Sequence, residues 1–169
     1  FCCERKLYLF TIMKITVLCV GKIKEKFYRE AVAEYQKRLS KYATFSIVEV
    51  NDEKTAENLS EVERNKILEE EGKRLLSKIP DSAYVVLLDI LGKKYDSVEF
   101  SRFMEDNMNR GNSHLMFVIG GSLGLSDSVK KRGDASVSFS DMTFPHQLMR
   151  VILTEQIYRG FRIMRNEPY

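Results

Sequence analysis

Residues 114–132 read HLMFVIGGSLGLSDSVKKR, and the fold turns on how that stretch is read. Leu115, Met116, Phe117, Val118 and Ile119 form an apolar run of strand length, too short for a helix. Gly120, Gly121 and Gly124 then break it, since glycine carries no Cβ and tolerates positive φ. Ser126 stands where an N-cap would open a short helix closing near Arg132. A strand, a glycine turn and a helix in succession bring backbone close to whatever lies at the strand's carboxyl end. That is a ligand, or only the next element of a tight βα connection, and the rest of the chain has to decide.

The same alternation repeats on both sides. KITVLCV at 14–20 is a β-branched first strand, ended by Gly21 and a basic turn at 22–26. Residues 25–42 carry Tyr28, Ala31, Val32, Tyr35, Leu39 and Tyr42 at spacings of three and four, which predicts a helix. TFSIVEV at 44–50 is a second strand, followed by a polar stretch at 51–58. Ser60 and Glu63 form a capping box for a helix running to about Ile79, before Pro80. Val62, Ile67, Leu68, Leu75, Leu76 and Ile79 are its expected inner side, with the acidic run 69–71 in solvent. YVVLLD at 84–89 is apolar almost throughout, as expected of a strand covered on both faces, and LGKK at 91–94 reads as a loop. Asp96 and Glu99 make a second capping box, opening a helix with Phe100, Phe103 and Met104 inward. ASVSF at 135–139 is a fifth strand and SDMTF at 140–144 a loop. Pro145 sits at a first helical position, and the last helix, about 146–163, sets Leu148, Val151, Ile152, Glu155 and Tyr158 along one side.

Strands alternating with helices predict an α/β domain: a mostly parallel sheet with helices on both faces. Ligands of such sheets sit outside the carboxyl ends of the strands. Three of those ends lead into loops, at 88–92, 119–124 and 139–144, which converge if their strands are neighbours. With 169 residues, 44% hydrophobic and 30% charged, the chain has enough length for one domain with a real core. A net charge of +3 permits a phosphate-bearing partner without requiring one. Three cysteines without metal-ligand spacing and only two histidines argue against a metal site or a disulfide framework, and fit a reducing cytoplasm. No stretch approaches the roughly 20 apolar residues of a membrane span. Residues 1–12, FCCERKLYLFTI, are poorly patterned; Met13 is read as the natural start, 1–12 as a non-native or upstream extension, and 13–169 as the single domain.

Generic motifs carry little. GGSLG is not G-x-G-x-x-G and follows the fourth strand, so the likeness to a dinucleotide site, with Asp141 as its ribose acid, is weak. No Gly-Lys-Ser/Thr completes a P-loop, and a triad of Ser126, Asp141 and His146 lacks a nucleophile elbow. The last third is basic: Lys130, Lys131, Arg132, Arg150, Arg159, Arg162 and Arg165 are interleaved with Tyr158, Phe161 and Tyr169. Such residues can hold phosphates and stack on bases, or form the solvated face of an amphipathic helix.

More specific is FVIGGSLGLS at 117–126, followed by S-x-x-T-F-P-H-x-L-x-R-V-x-L-x-E-Q-x-Y-R at 140–159 and a closing N-x-P-Y. With KITVLCVGKIK and LLDILGK, this resembles the RlmH family, SPOUT-class methyltransferases of large-subunit ribosomal RNA, across 13–169. The resemblance implies a C-terminal trefoil knot, an exception to ordinary chain connectivity. It implies a homodimer and S-adenosylmethionine as cofactor, with methyl transfer to N3 of a pseudouridine in 23S rRNA on the assembled ribosome. Carried onto this chain, the cofactor pocket comprises Leu88, Gly120, Phe139, Ser140, Asp141, Met142, Thr143 and Phe144. His146 and Tyr169 are the candidates for base or orienting roles, Arg150, Arg159 and Arg162 for holding RNA phosphates, and no metal is expected. Two other classes remain open on the sequence: a non-catalytic ribosome-binding factor on the same fold, and a Rossmann-type nucleotide enzyme.

Overall fold

Every strand pairing among the described residues is parallel, and the pairings fix the order β2-β1-β4-β3-β5. The computed structural model describes residues 13–169. The strands are β1 (Lys14–Val20), β2 (Thr44–Val50), β3 (Tyr84–Lys94), β4 (His114–Ile119) and β5 (Ala135–Ser138). The helices are α1 (Lys26–Leu39), α2 (Glu61–Leu76), α3 (Ser97–Asn109), α4 (Asp127–Arg132) and α5 (His146–Met164). The proposed extension at 1–12 lies outside the described residues.

Central strands explain the apolar runs. On β1, Ile15, Val17 and Cys19 point to one face and Leu18 and Val20 to the other, and all are buried. The first face packs Phe117, Phe100, Leu153, Ile157 and Phe161. The second packs Leu75, Met116, Val118 and Val129. Burying apolar area on both sides holds helices against both faces. Both capping boxes form, Ser60 with Glu63 and Asp96 with Glu99, and Ser126 Oγ accepts the Val129 N–H to start α4.

Four expectations are corrected. β3 does not stop at Asp89 but continues to Lys94. Leu88 and Lys93 both stand opposite Val137 of β5, so 89–92 arch out as a bulge and the chain rejoins its partner. Gly92 permits this: a Cβ there would lie 2.7 Å from the backbone of Ser136 and Val137. Val62 is 78% exposed, whereas Glu71 is buried. Their places exchange because α2 rolls its 71–72–75 stripe inward, where Gly72 leaves room for Ser126. The buried face of α5 is Arg150, Leu153, Thr154, Ile157, Gly160 and Phe161. The side read from sequence, through Leu148, Val151 and Ile152, stays half-exposed. Gly160 sets this rotation: its carbonyl accepts the Ser101 hydroxyl at 2.8 Å, and its missing Cβ admits Met104 of α3.

Candidate active site

The strand order satisfies the condition for convergence. β4, β3 and β5 are adjacent, so Gly120, Leu88 and the loop 139–144 share one edge of the sheet. Leu88 stands opposite Val137, two residues before Phe139. The glycine turn is tight: the Gly124 N–H donates to Gly121 O at 3.0 Å, Gly124 has φ +88, and a Cβ on Gly120 would strike the Gly124 carbonyl. Only glycine fits these two positions.

The loop is clamped at its rim and open in its backbone. Lys94 Nζ donates to Asp141 Oδ2 at 2.6 Å, tying the end of β3 to the loop. The Met142 N–H donates to Ser140 Oγ at 3.0 Å, and Ser138 Oγ donates to Ser140 O at 3.2 Å. Among the described residues the amides of Asp141, Thr143 and Phe144 take no backbone partner. Met142 is 73% exposed and Leu91, on the neighbouring arch, 87%. Phe139 and Phe144 flank a cleft of about 340 Å³, floored by Phe100 and Ile152 and edged by Asp96 and Gln156; Leu88 and Gly120 do not line it. Apolar side chains beside unpaired backbone amides suit a flat heterocycle, which needs its faces covered and its edge hydrogen-bonded. On those grounds the segment fits an adenosyl group.

The first turn of α5 follows this loop directly. Gln147 Oε1 accepts the Lys24 N–H at 2.9 Å. Arg150, 1% exposed, donates from Nη1 to Glu49 Oε2 at 2.9 Å and from Nη2 to Val20 O at 2.9 Å and Gly21 O at 2.8 Å. The structure thus spends this guanidinium on the ends of β1 and β2, away from solvent. His146 is half-buried beside it. Burial, then the Arg150 charge, push the His146 ring below its ordinary value against the opposing pull of Asp52. The ring is therefore neutral near pH 7 and can accept a proton.

Tyr169, Arg159 and Arg162 form a separate group. The chain turns back at Asn166, with φ +52, and lays Tyr169 on α5. Its hydroxyl donates to Glu155 Oε1 at 2.6 Å, and Arg159 Cζ lies 3.9 Å from the ring centroid. Burial and the Glu155 carboxylate push the phenol pKa up, so it stays protonated. Arg159 pairs with Glu155 at 2.7 Å and Arg162 with Glu167 at 2.6 Å. Glu155 is about 14 Å along the helix from His146, so one chain does not bring Tyr169 to His146.

Two participants went unread in the sequence. Gln147 carries no signal of its bonds to the Lys24 and Glu25 amides. Glu71 did carry one, since it stands on the helical stripe of Leu68 and Leu75. Its Oε1 accepts the Glu53 N–H at 3.1 Å, while Oε2, against Gly121, has no partner among the described residues. Burial pushes its pKa up. Cys19, buried and pushed up to about 12, is no nucleophile. Among the described residues there is no cluster that could hold a metal ion, and no helix long and apolar enough to cross a membrane.

A family model described as "Predicted SPOUT methyltransferase" matches residues 13–169. Ribosomal RNA large subunit methyltransferase H 1 of Clostridium perfringens is 55% identical over 157 residues, 93% of this chain and 99% of its own length. Ribosomal RNA large subunit methyltransferase H of Carboxydothermus hydrogenoformans is 53% identical over the same shares of both chains. The crystal structure of the SpoU methyltransferase AviRb from Streptomyces viridochromogenes, in complex with the cofactor AdoMet, aligns with a TM-score of 0.45 at 12% identity, over 86% of this chain and 57% of the other.

Proposed function

Because this chain belongs to the RlmH family of SPOUT methyltransferases, we propose that it methylates large-subunit ribosomal RNA with S-adenosylmethionine, at N3 of a pseudouridine in the 23S rRNA of the assembled ribosome. The observation that carries this reading is the meeting of the β4, β3 and β5 ends around a loop that exposes Met142 and whose Asp141, Thr143 and Phe144 amides take no backbone partner among the described residues. Residues 13–169 act as one catalytic domain, working in the cytoplasm where ribosomes are found.

S-adenosylmethionine supplies a methyl group already activated on a sulfonium, so the protein's share is binding and alignment. Leu88 and Gly120 bound the cofactor pocket with Phe139, Ser140, Asp141, Met142, Thr143 and Phe144. Met142 and Phe144 cover ring faces, and the loop amides meet polar edges. His146, kept neutral, accepts the N3 proton of the target base. Tyr169, kept protonated, orients rather than accepts. Arg159 and Arg162 sit on the outer side of α5, where their charges can reach phosphate oxygens.

The active unit in this reading is a homodimer, with the C-terminal segment threaded as a trefoil knot. Support comes from α5. Its Leu148–Val151–Ile152 side is apolar yet half-exposed in one chain, and Tyr169 lies far from the His146 of its own chain. A second copy packed on α5 would cover the first and could resolve the second.

Calorimetry with S-adenosylmethionine tests the pocket, and methyl transfer to ribosomes carrying or lacking the pseudouridine tests the substrate. The expected result is saturable binding and a methylated nucleoside only where the pseudouridine is present. Absence of heat at millimolar cofactor overturns the reading. Sedimentation equilibrium gives the mass of the active unit.

A further inference from the structure

The turn between β1 and α1, residues 21–25, is pinned from three directions. From β2, Val50 O accepts the Gly21 N–H at 2.7 Å and Glu49 Oε2 the Ile23 N–H at 2.9 Å. From α5, Gln147 Oε1 accepts the Lys24 N–H at 2.9 Å, and Arg150 Nη2 donates to the carbonyls of Val20 and Gly21. From α1, Arg29 Nη1 donates to Ile23 O at 3.2 Å and to Lys24 O at 2.8 Å. Fixing each backbone residue costs on the order of 1–2 kcal/mol of conformational entropy, a cost these anchors offset while holding the turn in one conformation.

What the anchored turn presents is charge. Lys22 and Lys24 are exposed, and neither has an ion-pair partner among the described residues. Lys26, at the start of α1, meets Glu30 only at 3.5 Å with both side chains largely in solvent. The Glu49 carboxylate is already matched by Arg150. Glu25, Glu30 and Asp52 are the remaining acids beside the turn, and against Lys22, Lys24, Lys26 and Arg29 they leave it positive by a single charge. The turn is also in the right place. β1 lies next to β4, so Gly21 is one strand, about 5 Å, from the glycine turn. The same first turn of α5 that anchors Lys24 through Gln147 carries His146.

We propose that Lys22 and Lys24 hold backbone phosphates of the RNA strand that delivers the target base, a proposal that rests on the methyltransferase reading. Arg150 then serves this contact from beneath, by fixing the turn. Lysine suits the task as a compact charge that grips phosphate without reading sequence. Loops on a rigid scaffold are where proteins place such contacts.

The test is the double variant Lys22→Ala with Lys24→Ala, made in the full chain, with ribosomes as probe. Both methylation kinetics and direct co-sedimentation are followed across a salt series. The expected result is a KM for ribosomes raised about tenfold, with kcat and S-adenosylmethionine affinity unchanged. The salt dependence of ribosome binding becomes shallower by about one unit of log–log slope for each lysine removed. The variant Lys22→Arg with Lys24→Arg restores both. Thermal unfolding at the wild-type temperature excludes a structural cause. A double variant that binds ribosomes with wild-type affinity and salt slope overturns the proposal. If the wild type sediments with ribosomes but transfers no methyl group, the enzymatic reading falls, while the sedimentation series still scores the lysines.

Discussion

Arg150 Nη1 and Glu49 Oε2, 101 residues apart in sequence, lie 2.9 Å apart in space and join the first turn of α5 to the edge strand β2. The arginine side is 1% exposed and the glutamate side 35%. Removing the arginine therefore uncouples elements, because Val20 O and Gly21 O lose their donors with it. Arg150→Met is expected to cost about 3 kcal/mol in urea unfolding, as for breaking a buried hydrogen-bonded charge. It should also raise amide hydrogen exchange at residues 21–25. Were Arg150 only a phosphate contact, the substitution would leave the urea midpoint in place.

His146 gives stability a pH dependence whose sign follows from its surroundings. Burial and Arg150 hold its folded pKa below the ordinary 6.5. As pH falls through 6.5, the unfolded chain takes up a proton before the folded one. The contribution of the neutral ring is thus complete above pH 6.5 and lost as pH drops from there through the folded value. His114, lowered mainly by burial, acts with the same sign. Urea midpoints between pH 7.5 and 5 should fall in the wild type and fall less in His146→Gln. If His146 accepts the target proton, kcat should decline over the acid side of the same window. Superimposable stability profiles would remove the buried-imidazole account.

Glu71 has the opposite sign. Its folded pKa is raised, chiefly by burial, so the folded chain holds a proton that the unfolded chain releases. That contribution is present below the unfolded carboxylate value and lost as pH rises through the folded one. Glu71→Gln keeps the shape and the acceptor for the Glu53 N–H while removing the charge. It should raise the melting temperature at pH 8 and change it little at pH 4. A variant less stable at pH 8 would mean that the charge has a partner in solution.

The contrast between Arg150 and Glu71 shows what the sequence could and could not tell. Strand and helix positions were readable, because apolar period and capping residues are local: Ser60 with Glu63 and Asp96 with Glu99 act within one turn. The adjacency of β4, β3 and β5 was not, since no local spacing encodes which strands pair. The arch of β3 hid behind LGKK, a polar stretch that is a strand only because Gly92 can lie against β5. On α5 the sequence offers Arg150 as a contact to RNA phosphates, yet the fold buries it. Its burial depends on carbonyls of Val20 and Gly21, 130 and 129 residues away. The loop at 140–144 was legible as a motif, but the clamp from Lys94 to Asp141 needed the arch to be seen first.

That arch makes Gly92 a sensitive position. A Cβ would lie 2.7 Å from three backbone atoms of β5, and backbone in a paired strand cannot step aside as a side chain can. Gly92→Ala should cost about 1–3 kcal/mol, the usual penalty for overpacking. It should also weaken S-adenosylmethionine binding, because β5 leads directly into residues 139–144. The comparison with Gly111→Ala separates crowding from backbone conformation: Gly111 has open space around it but φ +89, so that variant should lose stability without losing cofactor affinity. Unchanged cofactor affinity in Gly92→Ala would detach the arch from the pocket.

Met142 offers the cleanest separation of packing from ligand binding. At 73% exposed it covers nothing in the core, and its side chain contributes little to holding the loop, whose own bonds run from Ser138, Ser140 and Asp141. Met142→Ala should therefore leave the unfolding free energy within about 0.5 kcal/mol of the wild type. If the methionine covers a ring face of the adenosyl group, cutting it back exposes that face to water. Burial of such a side chain contributes about 1.5–3 kcal/mol when complete. Partial cover at a pocket rim gives less, and a three- to tenfold weaker cofactor Kd by calorimetry is the expected result. Phe144→Ala, by contrast, removes a half-buried ring from the cleft and should lower both stability and affinity. A Met142→Ala protein with wild-type affinity would move the adenosyl group away from this side of the loop, toward the cleft bounded by Phe139 and Phe144.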